Sequence, residues 1–397
     1  MASQVYASAP DQSILLNTAT SFLQGLYPPL LDLKPEIASQ TVLNNGSTST
    51  SPLEGYQYVV LHGEKANSPD AIWIKGDDNC PAVIEASESF EASEEYLNTF
   101  DSTRDFYRSL FPAVQGVFDY RSPDNMSYAK AFDIFDLVNV ARIHNATSPA
   151  RNVTDEQLFQ LRTLANSAEF GYNFNTSQPA RSLHAETLAG AVLAQLNQTV
   201  ASKGKLKFSL LAGSYDVFLA FFGLANLTSA SPDFFGLPDY ASTMAFEVFT
   251  TANSTEFPAD AAANLRVRFL FRNSTYGQPT AFPLFGKGED SLSWPDFVKE
   301  IRNRAITSAS QWCSLCRSSV SFCAAYKSDT DAGGSEASGN GRMSNAVAGV
   351  IGAMVTLAVV ALVSGLAFVL LRKRQSGEAQ EKTSVRSGSG EGRPSSV

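Results

Sequence analysis

The sequence predicts an α/β layered domain with a largely parallel sheet, followed by one transmembrane helix near the C-terminus. The first observation is the order of elements: an amphipathic helical pattern over residues 181–198 leads into an apolar strand pattern over 206–212. Helices that alternate with strands are typical of parallel sheets. The second observation is an uncharged stretch of 26 residues, 346–371. A helix of that length is long enough to cross a bilayer.

The first half of the chain is predicted to be mainly helical. Hydrophobic residues recur at helical spacing over 12–26, where glycine and proline end the pattern. A stretch rich in Ser, Thr and Asn over 40–55 predicts a loop, and an apolar run predicts a strand over 56–62. Helical patterns then cover residues 88–145 and 155–166.

Two further strands and a helix are predicted in the second half. The strands cover 244–250 and 265–272, and in the second of them apolar residues alternate with arginines, the period of a half-buried strand. Ser293 followed three residues later by Asp296 is a capping-box pattern, which predicts a helix from there to about residue 306.

These patterns divide the chain into four parts. Residues 1–325 form the folded unit, and 326–345 form a stalk rich in Ser and Gly. Residues 346–371 form the transmembrane helix, and 372–397 form a tail that cannot bury a core and is predicted to be disordered.

The residues that flank the span predict the orientation of the protein. Arg372, Lys373 and Arg374 follow it directly, and an excess of Lys and Arg marks the cytoplasmic side of a membrane helix. We therefore expect a type I membrane protein with its folded unit outside the cell. With no retention signal at its C-terminus, the cell surface is the expected location.

Asparagine-linked glycosylation signals support this orientation. Nine N-x-S/T sequences precede the span and none follows it. The candidate glycosylation sites are Asn45, Asn125, Asn145, Asn152, Asn175, Asn197, Asn226, Asn253 and Asn273.

Four cysteines also lie before the span, and an even number in an oxidising compartment predicts two disulfides. They are Cys80, Cys313, Cys316 and Cys323, for which three pairings are possible. The C-x-x-C spacing of two of them also fits a zinc or redox pair. No second ligand pair stands at the spacing of a zinc finger, so we expect no metal and no cofactor.

The composition excludes nucleic acid as a partner. The net charge is -9, and phosphate backbones are bound by clusters of Lys and Arg.

The opening residues 1–6 contain no apolar leader. A glycosylated protein of this orientation commonly has one, so we expect the natural N-terminus to lie upstream. The less common alternative is that the span acts as an uncleaved anchor and translocates the long N-terminal domain.

Several short blocks resemble the fungal branch of the histidine acid phosphatases. The resemblance covers residues 4–323, rests on the order and spacing of the blocks, and comprises QVY at 4–6, LQGLYPP at 23–29, WIKGDDNCPA at 73–82, VRFLFRN at 267–273, PLFG at 283–286, LSW at 292–294 and WC at 312–313. It implies a three-layer phosphoglycerate-mutase-like fold with a central, largely parallel sheet.

In that family an N-terminal R-H-G-x-R-x-P motif supplies a histidine nucleophile and phosphate-binding arginines. Its expected place is before the QVY block, so the resemblance implies an N-terminally truncated domain that lacks the strand carrying the motif. Omitting that strand is expected to leave an open sheet edge. Phosphate-binding arginine is also expected after the QVY block, but Ala7, Ser8 and Ile14 stand there, and no arginine precedes Arg104.

A later H-D pair adds a phosphate-binding histidine and the acid that protonates the leaving group. Here Tyr215 stands in the place of the histidine, and Asp216 is the one catalytic position that the chain keeps. A neutral tyrosine does not replace a cationic imidazole. Asp216 has the alternative interpretation of a helix cap. No residue is assigned to phosphate binding.

Three histidines have structural interpretations. His62 lies in LHGEK, which is similar to a degraded R-H-G-x-R, but its place in the order of blocks is wrong for the nucleophile. His144 and His184 are predicted to be structural.

The sequence thus favours a membrane-anchored, catalytically defective glycoprotein that acts at the cell surface by binding. Its partners would be the membrane and a phosphorylated small molecule or surface ligand. The alternative is an acid phosphomonoesterase whose N-terminal nucleophile exon is missing from this chain. A third interpretation is a wall or stalk protein whose fold is only a spacer.

Overall fold

A computed structural model describes residues 3–29, 42–47, 49, 52–117, 120–253 and 256–327. The predicted transmembrane helix, its tail and all but the first residues of the predicted stalk lie outside the described residues. Among the described residues, no helix has the length and apolar character that a membrane crossing requires.

The chain forms a mixed α/β fold whose first sheet has three parallel strands. They are β1 (Val5–Pro10), β2 (His62–Glu64) and β3 (Phe208–Leu211), in the order β2-β1-β3. All pairs are parallel, and Ser8 of β1 is level with both His62 and Leu211. The coarse prediction of an α/β domain with a parallel sheet is therefore confirmed.

The central strand β1 was not predicted from the sequence. Its inner residues are small, and Ala7 and Ala9 are fully buried. Small side chains carry little of the β-branched or aromatic signal by which strands are recognised. They fit here because the first helix packs closely on this strand, with Leu15 and Ala19 in the same apolar cluster as Ala9.

The strand predicted over 56–62 is wrong in its position. Ladder pairing begins only at His62, because β2 pairs with the last three residues of β1. Within the described part of the chain, the residues before it belong to no strand ladder, and a segment joins a sheet only where its backbone pairs with a neighbouring strand. Strand β3 lies at the other edge, and its four residues are half-buried.

The second sheet is antiparallel and has four strands. They are β4 (Thr243–Thr250), β5 (Leu265–Arg272), β6 (Thr280–Phe282) and β7 (Ser291–Ser293), with β5 paired to the other three. Apolar residues of β5 face the core and its arginines face outwards, as the alternation predicts.

Thirteen helices surround the two sheets within the described residues. They are α1 (Ser13–Leu26), α2 (Pro81–Glu91), α3 (Glu94–Ser102), α4 (Arg104–Ser109), α5 (Phe111–Val114), α6 (Ala131–His144), α7 (Asp155–Asn173), α8 (Leu183–Ala201), α9 (Tyr215–Leu224), α10 (Ala261–Asn264), α11 (Trp294–Arg302), α12 (Ala309–Cys316) and α13 (Ala324–Lys327), besides short 3₁₀ turns and the turn Pro52–Gly55, whose two central residues have positive φ.

The long helical region predicted over 88–145 is divided into separate helices. Ser93 caps α3 by accepting the backbone N–H of Tyr96, and a new short helix begins at Phe111 with Pro112 in its first turn. Periodicity alone misses such breaks, because each new helix keeps an apolar face towards the same core. Helix α11 begins at the predicted cap, where Ser293 accepts from the backbone N–H of Asp296.

Helix α9 joins the two sheets. It begins four residues after β3, and its aromatic side chains pack on the antiparallel sheet. The Phe221 ring lies 5.6 Å from that of Phe246 in β4, and the Phe222 ring lies 5.3 Å from that of Phe271 in β5. The start of α9 is therefore fixed at the carboxyl end of the parallel sheet, where α/β folds commonly place their sites.

Candidate functional site

The loop Lys75–Cys80 is anchored to the C-terminal part of the domain. The indole Nε1 of Trp312 donates to the Gly76 carbonyl at 2.8 Å, and the Ser318 hydroxyl donates to the Asn79 carbonyl at 2.7 Å. Cys80 is bonded to Cys316 of α12. Three bonds within six residues leave the loop backbone little freedom, so the position of Lys75 is fixed by the fold.

Lys75 forms an ion pair with Asp216, the sequence-predicted acid. Its Nζ lies 2.9 Å from Asp216 Oδ2 and 3.1 Å from Asp77 Oδ2. The Lys75 and Asp216 side chains are 12% and 21% exposed. The Ser214 hydroxyl donates to the other carboxylate oxygen of Asp216. Both oxygens of the predicted acid are therefore bound within the protein.

These partners keep Asp216 ionised. Burial raises the pKa of the Asp216 carboxyl, but Lys75, His184 and Ser214 together outweigh burial and lower that pKa to about 2. Burial lowers the pKa of the Lys75 ammonium, whereas the two carboxylates raise it to a value above its usual range. The pair stays charged on both sides at ordinary pH.

Tyr215, where the resemblance implies a histidine, is half-buried and packs against the core. Its ring centroid lies 4.4 Å from that of Phe132 on α6. Its hydroxyl interacts with the carboxyl of Glu169 on α7. Burial, with Glu169 and Asp216 nearby, raises the pKa of the Tyr215 phenol, so the hydroxyl stays neutral. Burial also raises the pKa of Glu169, to about 7.

Further carboxyl groups surround this pair. Burial raises the pKa of Asp78, and Asp77 and Asp216 raise it further. Asp133 is close enough to Glu169 to raise the pKa of that group. Asp77, Asp78 and Asp216 thus lie near Lys75, and Glu169 lies between Asp216 and Asp133. Within the described ranges, no group of three or more His, Cys, Asp or Glu side chains is arranged to hold a metal ion.

The histidines occupy three separate places. His184 is buried in α8, where its Nε2 lies 3.3 Å from the Asp216 backbone carbonyl. His62 is exposed on the edge strand, and its ring stacks on that of Tyr6 with centroids 5.5 Å apart. His144 is exposed at the end of α6. The structure thus places His184 beside the predicted acid, although it had been assigned a purely structural role.

The positions where family arginines are expected hold no cation. Ala7 and Ser8 are buried in β1, and the Ser8 hydroxyl donates to Glu64 Oε1 at 2.9 Å. Ile14 is exposed on α1. The interpretation of Asp216 as a helix cap is also wrong: it is the second residue of α9, and Ser214 occupies the cap position.

The four cysteines form two disulfides, as predicted. The structure selects one of the three possible pairings, Cys80 with Cys316 and Cys313 with Cys323. The two cysteines of the C-x-x-C sequence therefore belong to different bridges and do not form a redox pair with each other.

The candidate glycosylation sites lie at the surface. Eight of the nine asparagines are exposed, and Asn175 is half-buried.

Two residues that sequence reasoning missed, Lys75 and Glu169, contribute most to the site. The only local signal was a lysine within the WIKGDDNCPA block, and no spacing rule connects it with an aspartate 141 residues later.

No protein-family model matches this chain, and no curated protein matches it either.

Proposed function

We propose that this chain is a catalytically silent, glycosylated surface protein of histidine acid phosphatase ancestry, anchored by the span at 346–371, that acts by binding. The observation that carries the proposal is the ion pair between Lys75 and Asp216. It occupies the one catalytic position that the resemblance assigns to this chain.

A general acid must hold a proton at its working pH and give it to the leaving group. Asp216 has a lowered pKa of about 2, so it is ionised throughout the mildly acidic range. Its two oxygens are already bound by Lys75 and Ser214. The carboxylate therefore serves the structure and has no proton to transfer.

Phosphate binding is disfavoured by the same arrangement. A phosphoryl group in transfer carries negative charge, which fixed cations must neutralise. Lys75 is already neutralised by two carboxylates, and Tyr215 is neutral. The Asp78 carboxyl lies near Lys75 and Asp216, and a carboxylate there repels an anion. Of the two predicted ligand classes, we therefore favour a non-phosphorylated surface ligand over a phosphorylated small molecule.

The test is hydrolysis of p-nitrophenyl phosphate at acid pH by the glycosylated full-length chain and by Asp216→Asn. We expect no hydrolysis above the buffer rate in either protein, since losing an essential nucleophile costs on the order of 10⁶ in rate. Phosphorus NMR line widths of inorganic phosphate should not change when the protein is added.

The same assay on an N-terminally extended protein decides between this proposal and the alternative phosphatase. Hydrolysis by the extended protein that disappears in Asp216→Asn would overturn the proposal and establish an acid phosphomonoesterase. If the extended protein also fails to hydrolyse p-nitrophenyl phosphate, that result would support the binding role.

A further inference from the structure

Three large exposed side chains lie on the α6–α7 pair and the loop that crosses it. They are Ile143, Phe159 and Tyr240, which are 64%, 72% and 65% exposed. We call these three residues the hairpin patch. Exposed apolar groups that cluster on a soluble face promote association with other surfaces unless something covers them.

Ion pairs and hydrogen bonds place the three residues on one side of the helices. Arg142 at the end of α6 pairs with Asp155 at the start of α7 at 2.7 Å, so the two ends adjoin. The Tyr240 hydroxyl donates to Asp136 of α6. Its neighbour Asp239 accepts from Arg162 of α7 at 2.6 Å.

Helical spacing then locates the other two members of the patch. Ile143 follows Asp136 by seven residues, which is two turns along the same face of α6. Phe159 precedes Arg162 by three residues, which is one turn along α7. Both side chains therefore project on the side where the loop with Tyr240 crosses.

Three of the nine glycosylation signals border this patch. Asn145 follows Ile143 by two residues, and Asn152 ends the short 3₁₀ turn that connects α6 to α7. Asn273 accepts the backbone N–H of Asp239 through its Oδ1 at 2.8 Å. This bond leaves the Asn273 Nδ2 atom, to which a glycan is attached, free of that contact. All three asparagines are exposed.

We propose that the oligosaccharides on Asn145, Asn152 and Asn273 fold back over the hairpin patch and cover it. The inference rests on the glycosylation that the proposed function includes. Glycans are bulky and solubilising, and the rings of Phe159 and Tyr240 present apolar faces on which a sugar ring can pack. The three glycans keep this surface from associating with other proteins or membranes.

The test is hydroxyl-radical footprinting of the full-length chain, expressed in a glycosylating host and held in lipid nanodiscs. Peptide mass spectrometry gives both the occupancy of each sequon and the oxidation rate of each side chain. The variant Thr147→Ala/Asn152→Gln/Thr275→Ala removes the three signals and keeps Asn273, whose Oδ1 holds the loop. We expect Phe159 and Tyr240 to oxidise several-fold faster in this variant than in the parent.

A matched variant, Asn197→Gln/Asn253→Gln, removes two exposed signals elsewhere and should leave both rates unchanged. Tyr58, which is 63% exposed and lies near β2, serves as the internal reference. If the sequons of the parent are occupied and the hairpin patch oxidises equally fast in parent and variant, this inference is overturned. The proposed function would still stand. Empty sequons throughout would overturn both the inference and the glycoprotein assignment. Protection that persists in the variant would also contradict the inference and indicate a protein partner instead.

Discussion

Lys75 and Asp216 are 141 residues apart in the chain, yet their charged groups meet at 2.9 Å. The lysine comes from a loop held by a disulfide and a buried tryptophan, and the aspartate comes from the first turn of α9. Each charge is costly to bury alone, and each is stabilised by the other. The Asp216 carboxylate therefore belongs to a largely buried ion pair that joins distant parts of the chain.

Removing the lysine should therefore destabilise the protein strongly. We expect Lys75→Ala to lower the free energy of unfolding by about 3 kcal/mol, because it leaves the Asp216 carboxylate buried without its cation. Urea unfolding followed by tryptophan fluorescence measures the change. The loss should shrink as pH falls from 3.8 towards 2, where Asp216 takes up a proton.

The control is Lys130→Ala, which breaks an exposed pair with Asp133 at 3.7 Å. We expect it to cost at most about 0.5 kcal/mol. An equal effect of both substitutions would contradict the importance assigned to the Lys75 pair.

The raised pKa of Glu169 predicts a second dependence of the free energy of unfolding on pH, with the sign opposite to that of Asp216. Its pKa is raised from 4.5 to about 7, so between these values the folded state holds a proton that the unfolded state has lost. Stability from this group is therefore lost as pH rises from 4.5 through 7. We expect Glu169→Gln to change little at pH 5 and to gain up to about 3 kcal/mol at pH 8.

Urea unfolding of parent and variant across pH 5–8 measures the difference. The exposed Gln160 of α7 has no titratable group and provides the control, and Gln160→Ala should give a difference that does not vary with pH. A constant difference for Glu169→Gln as well would show that its carboxyl does not titrate in this range.

At the scale of elements, α8 is held by its close approach to the segment after α11. The backbone N–H of Ile306 donates to the Glu186 carbonyl at 2.9 Å. A Cβ atom on Gly190, one turn further along α8, would lie 1.9 Å from the Ile306 carbonyl oxygen. Two backbones touch at this point, and only glycine fits between them.

Gly190→Ala should therefore destabilise the fold by about 2–3 kcal/mol, since neither backbone can move without disturbing the other. Gly25→Ala in α1 is the matched control, because nothing lies within 4 Å of its added Cβ. That substitution should stabilise the protein by about 0.5–1 kcal/mol through helix propensity. Thermal unfolding followed by circular dichroism distinguishes the two; a neutral Gly190→Ala would contradict this packing.

Elements whose signal is local were predicted well. The strand over 265–272 and the start of α11 at Ser293 agree with the structure, because side-chain alternation and capping depend on neighbours in the chain. Strand β1 was missed and β2 was misplaced, because pairing decides where a strand begins. The sequence does not state which segments pair.

At the scale of the whole molecule, the two disulfides close very different loops. Cys80–Cys316 joins residues 236 positions apart, and Cys313–Cys323 joins residues 10 apart. The longer bridge ties the loop that carries Lys75 to α12 near the end of the described domain. In the chain-entropy account, a longer closed loop removes more freedom from the unfolded state.

Cys80→Ser/Cys316→Ser should therefore cost more stability than Cys313→Ser/Cys323→Ser. Loop closure alone gives about 5 against about 3 kcal/mol. Urea unfolding of the two variants without reductant makes the comparison, and each variant is the control for the other. A larger loss from the shorter bridge would show that local packing outweighs loop closure.

The α/β class with a parallel sheet, the number of disulfides and the capped helix could all be predicted from the sequence. Each follows from composition, periodicity or short spacing. The disulfide pairing, the central place of β1 and the charge of Asp216 became known from the folded structure alone. The reason is physical: the charge of a carboxyl group depends on burial and on partners that chain folding brings near, and Lys75 reaches Asp216 only when the anchored loop and α9 meet.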